Sequence, residues 1–357
     1  VAIPLPIHGR GTSDNPRNRF ERLEVTADLE HVEHDDEYLD QLAHPQTQYY
    51  VDATKTIIAT NDSPDVGFTH SINPYRGCSH GCIYCYARPT HEFLGFSAGL
   101  DFETKVMVKT NAAELLRREL SSPRYQPVTL SISGVTDCYQ PAERSFQITR
   151  QCLQVLAEFR NPAGIITKNH LVTRDIDLLA DLASHNAAVV MVSITTLDKD
   201  LTRVMEPRTS VPLKRLEAIR KLTAAGIPTG VMVAPVVPGL TDHEMPMILK
   251  AAYEAGARFA GYVPLRLPYA VAGLFENWLT DHFPDRKDKV LNRVRSLRGG
   301  KLNDANFNSR MRGEGQWAEQ LKAMFTLARK SAGMTGDFPN LSTNAFRVVD
   351  RQQMSLW

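Results

Sequence analysis

The sequence predicts an α/β protein built on a parallel, barrel-like sheet. Two observations carry that expectation. From Gly67 onward, short apolar runs of β type alternate six times with stretches patterned as helices. Most of those runs are apolar along their whole length, as strands covered on both faces tend to be. The composition agrees, with 43% hydrophobic and 23% charged residues, ordinary values for a globular chain. A length of 357 residues allows one large domain or two and is ample for a buried core.

Taken in order, residues 1–65 form an N-terminal arm, irregular in part and marked by Arg10-Gly11-Thr12-Ser13-Asp14-Asn15-Pro16. Within it, Glu30, His31, Glu33, His34, Asp35, Asp36 and Glu37 could suggest a metal tract. A solvated arm is the simpler reading, because no apolar period fixes their geometry. Residues 66–271 hold the repeated units. Strands are expected at 68–72, 128–132, 164–167, 188–194, 229–234 and 259–263, with helices at 111–120, 146–159, 176–184, 213–225 and 244–255. Gly226 and then Pro228 mark a helix stop followed by a strand start. A complete eight-stranded barrel would need two more strands.

Residues 272–357 read as a helical and irregular extension. Arg286, Lys287, Lys289, Arg293, Arg295, Arg298, Lys301, Arg310 and Arg312 share one stretch with only Asp288 and Asp304, close to Phe307 and Trp317. Nucleic-acid phosphate contact is one reading of this 286–312 segment; a solvated helix face is the other. The net charge of +1 exerts no general pull on nucleic acid or membrane.

The chemistry concentrates in Cys78-Ser79-His80-Gly81-Cys82-Ile83-Tyr84-Cys85. Thiolates are the usual ligands of iron–sulfur clusters, and a four-iron cluster ordinarily takes four. Three on one loop would leave the last iron open, and an open position marks a site that does chemistry. Zinc fits less well, since the candidates for a second pair, Cys138 and Cys152, stand single and far apart. His80 is placed beside the ligands and not among them. Clustered thiols without a secretory leader or a membrane-length apolar run suggest a reducing, cytoplasmic setting.

These residues resemble the radical S-adenosylmethionine (SAM) enzymes, and among them the spore photoproduct lyase-like group, also called DNA repair photolyase-like. The shared strings are Asn73-Pro74-Tyr75-Arg76-Gly77-Cys78, Cys82-Ile83-Tyr84-Cys85-Tyr86-Ala87-Arg88 and Thr136-Asp137-Cys138-Tyr139-Gln140-Pro141-Ala142-Glu143. Thr167-Lys168, Glu206-Pro207-Arg208, Gly230-Val231-Met232-Val233-Ala234-Pro235 and Leu265-Arg266-Leu267-Pro268 follow.

The resemblance implies a partial (β/α)6 TIM-type barrel and a [4Fe-4S] cluster on Cys78, Cys82 and Cys85. It further implies reductive cleavage of SAM to a 5′-deoxyadenosyl radical, with a flavodoxin or ferredoxin as reductant. The substrate could then be a nucleic acid lesion or modified base, or equally a peptide or small metabolite. By the same resemblance the second-strand end, Ser133, Gly134, Thr136 and Asp137, would meet the SAM amino group. Lys168 would pair with the carboxylate and Ser193 with the ribose. Arg208 and Arg215 offer further carboxylate contacts, each with an ion pair as the competing reading, and Ala234 offers small apolar surface beneath adenine. Tyr84 and Tyr86 match a tyrosine pair that relays hydrogen. The group's hydrogen-donating cysteine falls at Gly134 here, which leaves Cys138 as a shifted donor or an inert buried thiol. A non-catalytic iron–sulfur or zinc protein that binds nucleic acid is the alternative from another class.

Overall fold

The computed structural model describes residues 7, 9–21 and 36–349. The acidic, histidine-bearing run lies outside them but for its last two members, Asp36 and Glu37, which begin a short helix. Ten strands occur among the described residues, here β1 (Gln48–Val51), β2 (Ile58–Thr60), β3 (His70–Ile72), β4 (Tyr75–Arg76) and β5 (Lys105–Val108). They continue with β6 (Leu130–Ile132), β7 (Ala163–Thr167), β8 (Ala188–Ser193), β9 (Thr229–Val236) and β10 (Phe259–Pro264).

Six of them form the expected parallel sheet, in the order β3-β6-β7-β8-β9-β10, with β2 added antiparallel beside β3. The six-unit partial barrel is therefore observed. Four strands had no counterpart in the sequence reading. Besides β2 these are β1, β4 and β5, which form a separate three-stranded sheet in the order β1-β5-β4. They run for two to four residues, too short for a period of two to stand out.

Alternation along the strands sorts side chains between two faces. Ile132, Ile165, Val190, Val192, Val231 and Val233 belong to the main apolar core, which also takes buried faces of the helices Ala112–Leu120, Ile148–Phe159, Ile176–Ser184, Pro212–Ala224 and Met245–Glu254. The intervening positions point to the barrel interior. At the strand starts this interior is filled by Val189, Met191 and Phe259, with Leu341 of the C-terminal extension against them and Phe338 edge-on to Phe259. At the strand ends it holds Ser133, Lys168, Ser193 and Ala234. The base is therefore plugged and the carboxyl-end mouth is left for chemistry.

The helix expected at 146–159 is broken: Gln147 is left-handed, with φ 52°, and the long helix starts at Ile148. The cause is Glu143. Its buried carboxylate accepts from the backbone N–H of Thr149 (2.9 Å) and Arg150 (3.2 Å), satisfying first-turn donors that have no partner within the helix. Among the described residues no helix is long and apolar enough to cross a membrane.

Gly230 shows how tightly the interior is filled. A Cβ there would lie 2.3 Å from the Phe259 ring and 2.7 Å from the Met191 sulfur. Gly230→Ala is expected to destabilise the protein by about 1–3 kcal/mol through overpacking, read as a lower urea midpoint with an unchanged slope.

Candidate active site

The loop that carries the three thiols follows β4 and has almost no regular structure, so outside groups must satisfy its backbone. Cys78 N–H donates to Phe102 O (2.9 Å), Ser79 N–H to Gln140 Oε1 (2.9 Å) and Ile83 N–H to Met205 O (3.1 Å). The Gly77 carbonyl accepts from Thr136 Oγ1 at 2.8 Å and from Gln140 Nε2 at 3.1 Å. Ile83, fully buried, seats the loop in a second apolar cluster with Met205, Leu265, Phe275 and Leu291. Gly77 and Gly81 take positive φ, +77° and +70°, which an L side chain rarely adopts.

Cys78, Cys82 and Cys85 are free thiols and close enough to act on one another electrostatically. Burial pushes the Cys82 thiol well above the ordinary thiol pKa, Glu206, Cys85 and Cys78 add to the rise, and the Lys168 ammonium opposes it. Burial likewise raises Cys85, helped by Cys78 and opposed by Lys168. Among the described residues, no three His, Cys, Asp or Glu side chains converge to hold a single metal ion. A cluster in which each thiolate takes a different iron requires no such convergence, so this donor set fits a cluster better than zinc.

Lys168, one residue beyond β7, lies beside these thiols. Its ammonium donates to Ala234 O at 3.1 Å and sits 5.8 Å from the Tyr84 ring centroid. The thiol loop, Lys168, Ala234 and Tyr84 are thus brought together at the mouth. Tyr86 is there too: its hydroxyl donates to Gly134 O at 2.6 Å, and its ring is 48% exposed.

Other expected residues are engaged differently. Asp137 accepts from Thr167 Oγ1 (2.8 Å), Lys168 N–H (2.8 Å) and Tyr139 N–H (2.9 Å), with His80 Nδ1 at 3.4 Å. Burial would raise its pKa, but His80 and these donors hold it at about 2. Burial also disfavours charge on His80, but Asp137 and Cys78 outweigh it and raise its pKa to about 9. The Asn169 Oδ1 accepts from Leu171 N–H and Ser210 Oγ, and its amide nitrogen lies 3.0 Å from His80 Nε2. Ser133, with φ 89°, accepts from Cys138 N–H at 3.0 Å.

Three further candidates have surroundings of their own. Cys138 is fully buried in the main core, where burial and the Asp137 charge drive its thiol pKa far up; it stands apart from the three loop thiols. Arg215 is 1% exposed. Its guanidinium donates to Ser210 O (2.7 Å), Ser193 O (3.0 Å), Thr209 Oγ1 (2.6 Å) and the Glu206 carboxylate, which is the ion-pair reading of this residue. Arg208 donates to Thr47 Oγ1 at 3.1 Å on the side of the N-terminal segment.

The basic 286–312 stretch is also divided by the fold. Arg298 is buried and bonded to four carbonyls, those of Pro264, Leu265, Ser309 and Arg310. Arg310 pairs with Asp65, and Arg293 with Asp242. Part of the stretch is therefore engaged within the protein, while Arg286, Lys289 and Arg293 line one pocket with Trp317.

Sequence reasoning overlooked Glu206. Its buried carboxylate accepts from Tyr84 Oη, Thr195 Oγ1 (2.7 Å) and Arg215. The string Glu206-Pro207-Arg208 did contain it, beside a residue that was considered.

The comparisons with known proteins follow this geometry. The model of the Radical SAM superfamily matches residues 72–252. An uncharacterized protein of Mycobacterium tuberculosis is 40% identical over 232 residues, 64% of this chain and 67% of that protein. A protein named Radical SAM Nalpha-GlyT isomerase, from Pseudomonas phage M6, is 28% identical over 174 residues, 48% of this chain and 34% of its own. A structure of spore photoproduct lyase superposes with a TM-score of 0.60 at 15% identity, covering 82% of both chains. At that identity the likeness is one of fold. The chain belongs to the Radical SAM superfamily and is a radical SAM enzyme.

Glu206 yields a pH prediction. Burial works to raise its pKa, but Arg215 foremost, then Lys168 and the hydrogen bonds from Tyr84 and Thr195, bring it to about 2. That lies below the unfolded value of about 4.3. The stability it lends is therefore present above the unfolded pKa and lost as pH falls toward 2. In urea titrations of the iron-free protein between about pH 5 and about pH 2, Glu206→Gln should start less stable and decline less steeply than wild type.

Proposed function

We propose that the enzyme holds a [4Fe-4S] cluster on Cys78, Cys82 and Cys85 and uses SAM to start hydrogen abstraction from a nucleic acid lesion or modified base. The observation that carries this reading is the trio of free, mutually coupled thiols on one loop, with the Lys168 ammonium beside it. Bound there, such a cluster would supply the single electron that splits SAM into methionine and the 5′-deoxyadenosyl radical.

The chain's own residues supply position and dryness. Lys168 uses one donor on Ala234 O, and an ammonium has three, so two remain for the SAM carboxylate. Ser133, Gly134 and Thr136 at the β6 end offer oxygens near the amino group, and Asp137 fixes that turn against Lys168 N–H. Ser193, inward-facing at the β8 end, suits the ribose. Ala234 leaves room under the adenine. Ile83 and Leu265 close the floor to water.

The two tyrosines divide their roles. The Tyr84 phenol is buried against Glu206 and Thr195, which makes it a support for the cysteine loop. The Tyr86 phenol is the accessible one and the candidate to pass hydrogen. A flavodoxin or ferredoxin, as the one-electron donor, completes the set of partners. The nucleic-acid reading rests on the fold shared with spore photoproduct lyase, one structure of which is described as complexed with dinucleoside spore photoproduct.

Anaerobically reconstituted, dithionite-reduced protein is expected to release 5′-deoxyadenosine from SAM, detected by liquid chromatography. Cys82→Ala should abolish release, and Lys168→Ala should raise the SAM concentration for half-maximal rate about tenfold, the worth of one charge-assisted contact. No release from iron-loaded wild type, or undiminished release from Cys82→Ala, overturns the proposal.

A further inference from the structure

One cation at the mouth has a ring beside it but, among the described residues, no hydrogen-bonding or ionic partner. Arg266 stands two residues beyond β10, and its guanidinium lies 4.7 Å from the Tyr86 ring centroid. Among the described residues it makes no hydrogen bond and no ion pair. It is only partly exposed, and burial, with the charge of Arg310 nearby, lowers its pKa against the opposing pull of Tyr86, Asp65 and Cys85. A guanidinium offers five donors in a flat fork, and holding one half-desolvated and unpaired costs stability unless a ligand compensates.

The neighbours show what kind of ligand fits. The Arg310 charge works against protonation of Arg266, and the Arg266 charge against that of Arg298, while the acids felt by these two are Asp65 and Asp304. Arg310 is satisfied by Asp65 and Ser63, and Arg298 by its four carbonyls. One positive charge is left over, on Arg266. Arg310 lies 4.5 Å from the Phe307 ring centroid, and Phe307 is 52% exposed. Two exposed rings thus stand at this group, Tyr86 beside the unmatched guanidinium of Arg266 and Phe307 beside its neighbour Arg310. Flat rings for stacking next to a free fork of donors are the arrangement that binds a single-stranded nucleic acid.

We infer that Arg266 receives a phosphodiester of the substrate, with Tyr86 and Phe307 as stacking surfaces for its bases. The inference deepens the reading above, because it places substrate on the rim of the same mouth, within reach of Tyr86. It assigns the recognition of charge to a residue outside the thiol loop and outside the groups proposed for SAM.

The test measures binding of the dinucleotide TpT and of its uncharged methylphosphonate analogue to reconstituted full-length protein, by isothermal titration calorimetry. Wild type should prefer the phosphodiester by about tenfold, the scale of one hydrogen-bonded charge contact. Arg266→Gln should erase that preference while binding the neutral analogue as wild type does. Arg266→Lys, which keeps the charge and loses the fork, should retain part of it. A misfolded variant would lose both probes together, so the ratio between probes carries the result. A preference that survives in Arg266→Gln, or is missing in wild type, overturns the inference. So does a preference for an acetylated aromatic dipeptide acid over its amide that depends on Arg266 while TpT shows none. The ratio is read whether or not SAM is cleaved, and wild type that cleaves SAM yet ignores the phosphodiester refutes this inference alone.

Discussion

The site depends on a buried guanidinium. Arg88 places all five of its donors inside the protein: Nε on Cys82 O (3.0 Å), Nη1 on Ala98 O (3.3 Å) and Gly99 O (2.9 Å), and Nη2 on Gly81 O (3.4 Å) and Glu103 Oε1 (2.6 Å). A loop that presents three sulfurs cannot also close its carbonyls into a helix or sheet, and a buried unpaired carbonyl costs about 1–3 kcal/mol. Arg88 answers that need, at the expense of a buried charge that must itself be matched. Glu103 matches it, and its second oxygen accepts Gly11 N–H at 2.9 Å. The packing there leaves no slack: a Cβ on Gly11 would fall 1.8 Å from Gly81 O, and one on Gly81 2.6 Å from Glu103 Oε2. The described part of the N-terminal arm is in this way built into the foundation of the thiol loop.

A second buried pair does the same on the opposite side. Glu206 and Arg215 are 1% exposed each, and they join the Tyr84 phenol to Thr195 and to the carbonyls of Ser193 and Ser210. Pairs of this kind add little net stability over well-packed apolar side chains, but they tolerate one geometry only. That suits a site where a loop and the ends of β8 and β9 must hold a common register. The interior of the barrel supplies volume, and the ion pairs supply orientation.

The difference between what the sequence revealed and what it hid follows from range. The six parallel strands were legible because each is a local apolar run, and the cysteine spacing because its members are neighbours in the chain. Where Cys138 and Arg215 face was not legible, because a residue name in a motif says nothing of direction. Arg215 stands one helical turn past Val211 and turns inward to a carboxylate nine residues before it. Glu206 and Arg88 were hidden for the same reason: their partners lie on other elements, and a charged side chain reads as surface until its counter-charge is seen. The basic stretch was counted correctly and interpreted too simply, since Arg298 faces carbonyls and Arg310 faces Asp65.

The open barrel sets the remaining constraint. β2 and β10 are the edges of the main sheet, so the gap between them is not sealed by a ladder of hydrogen bonds. A closed eight-stranded barrel would be filled with side chains; this sheet stays open between its two edges. Radical chemistry nonetheless requires that water be kept out. The chain spans the gap with polar contacts in place of a strand: Asp65, between β2 and β3, accepts from Asn308 N–H and pairs with Arg310 of the C-terminal extension. The contact is made by the ion pair, by a bond from Arg310 to Ser63 Oγ and by one backbone donor, with the Asp65 side chain 1% exposed. The extension thus plugs the base of the barrel through Phe338 and Leu341 with apolar contacts, and spans its open side with charged ones.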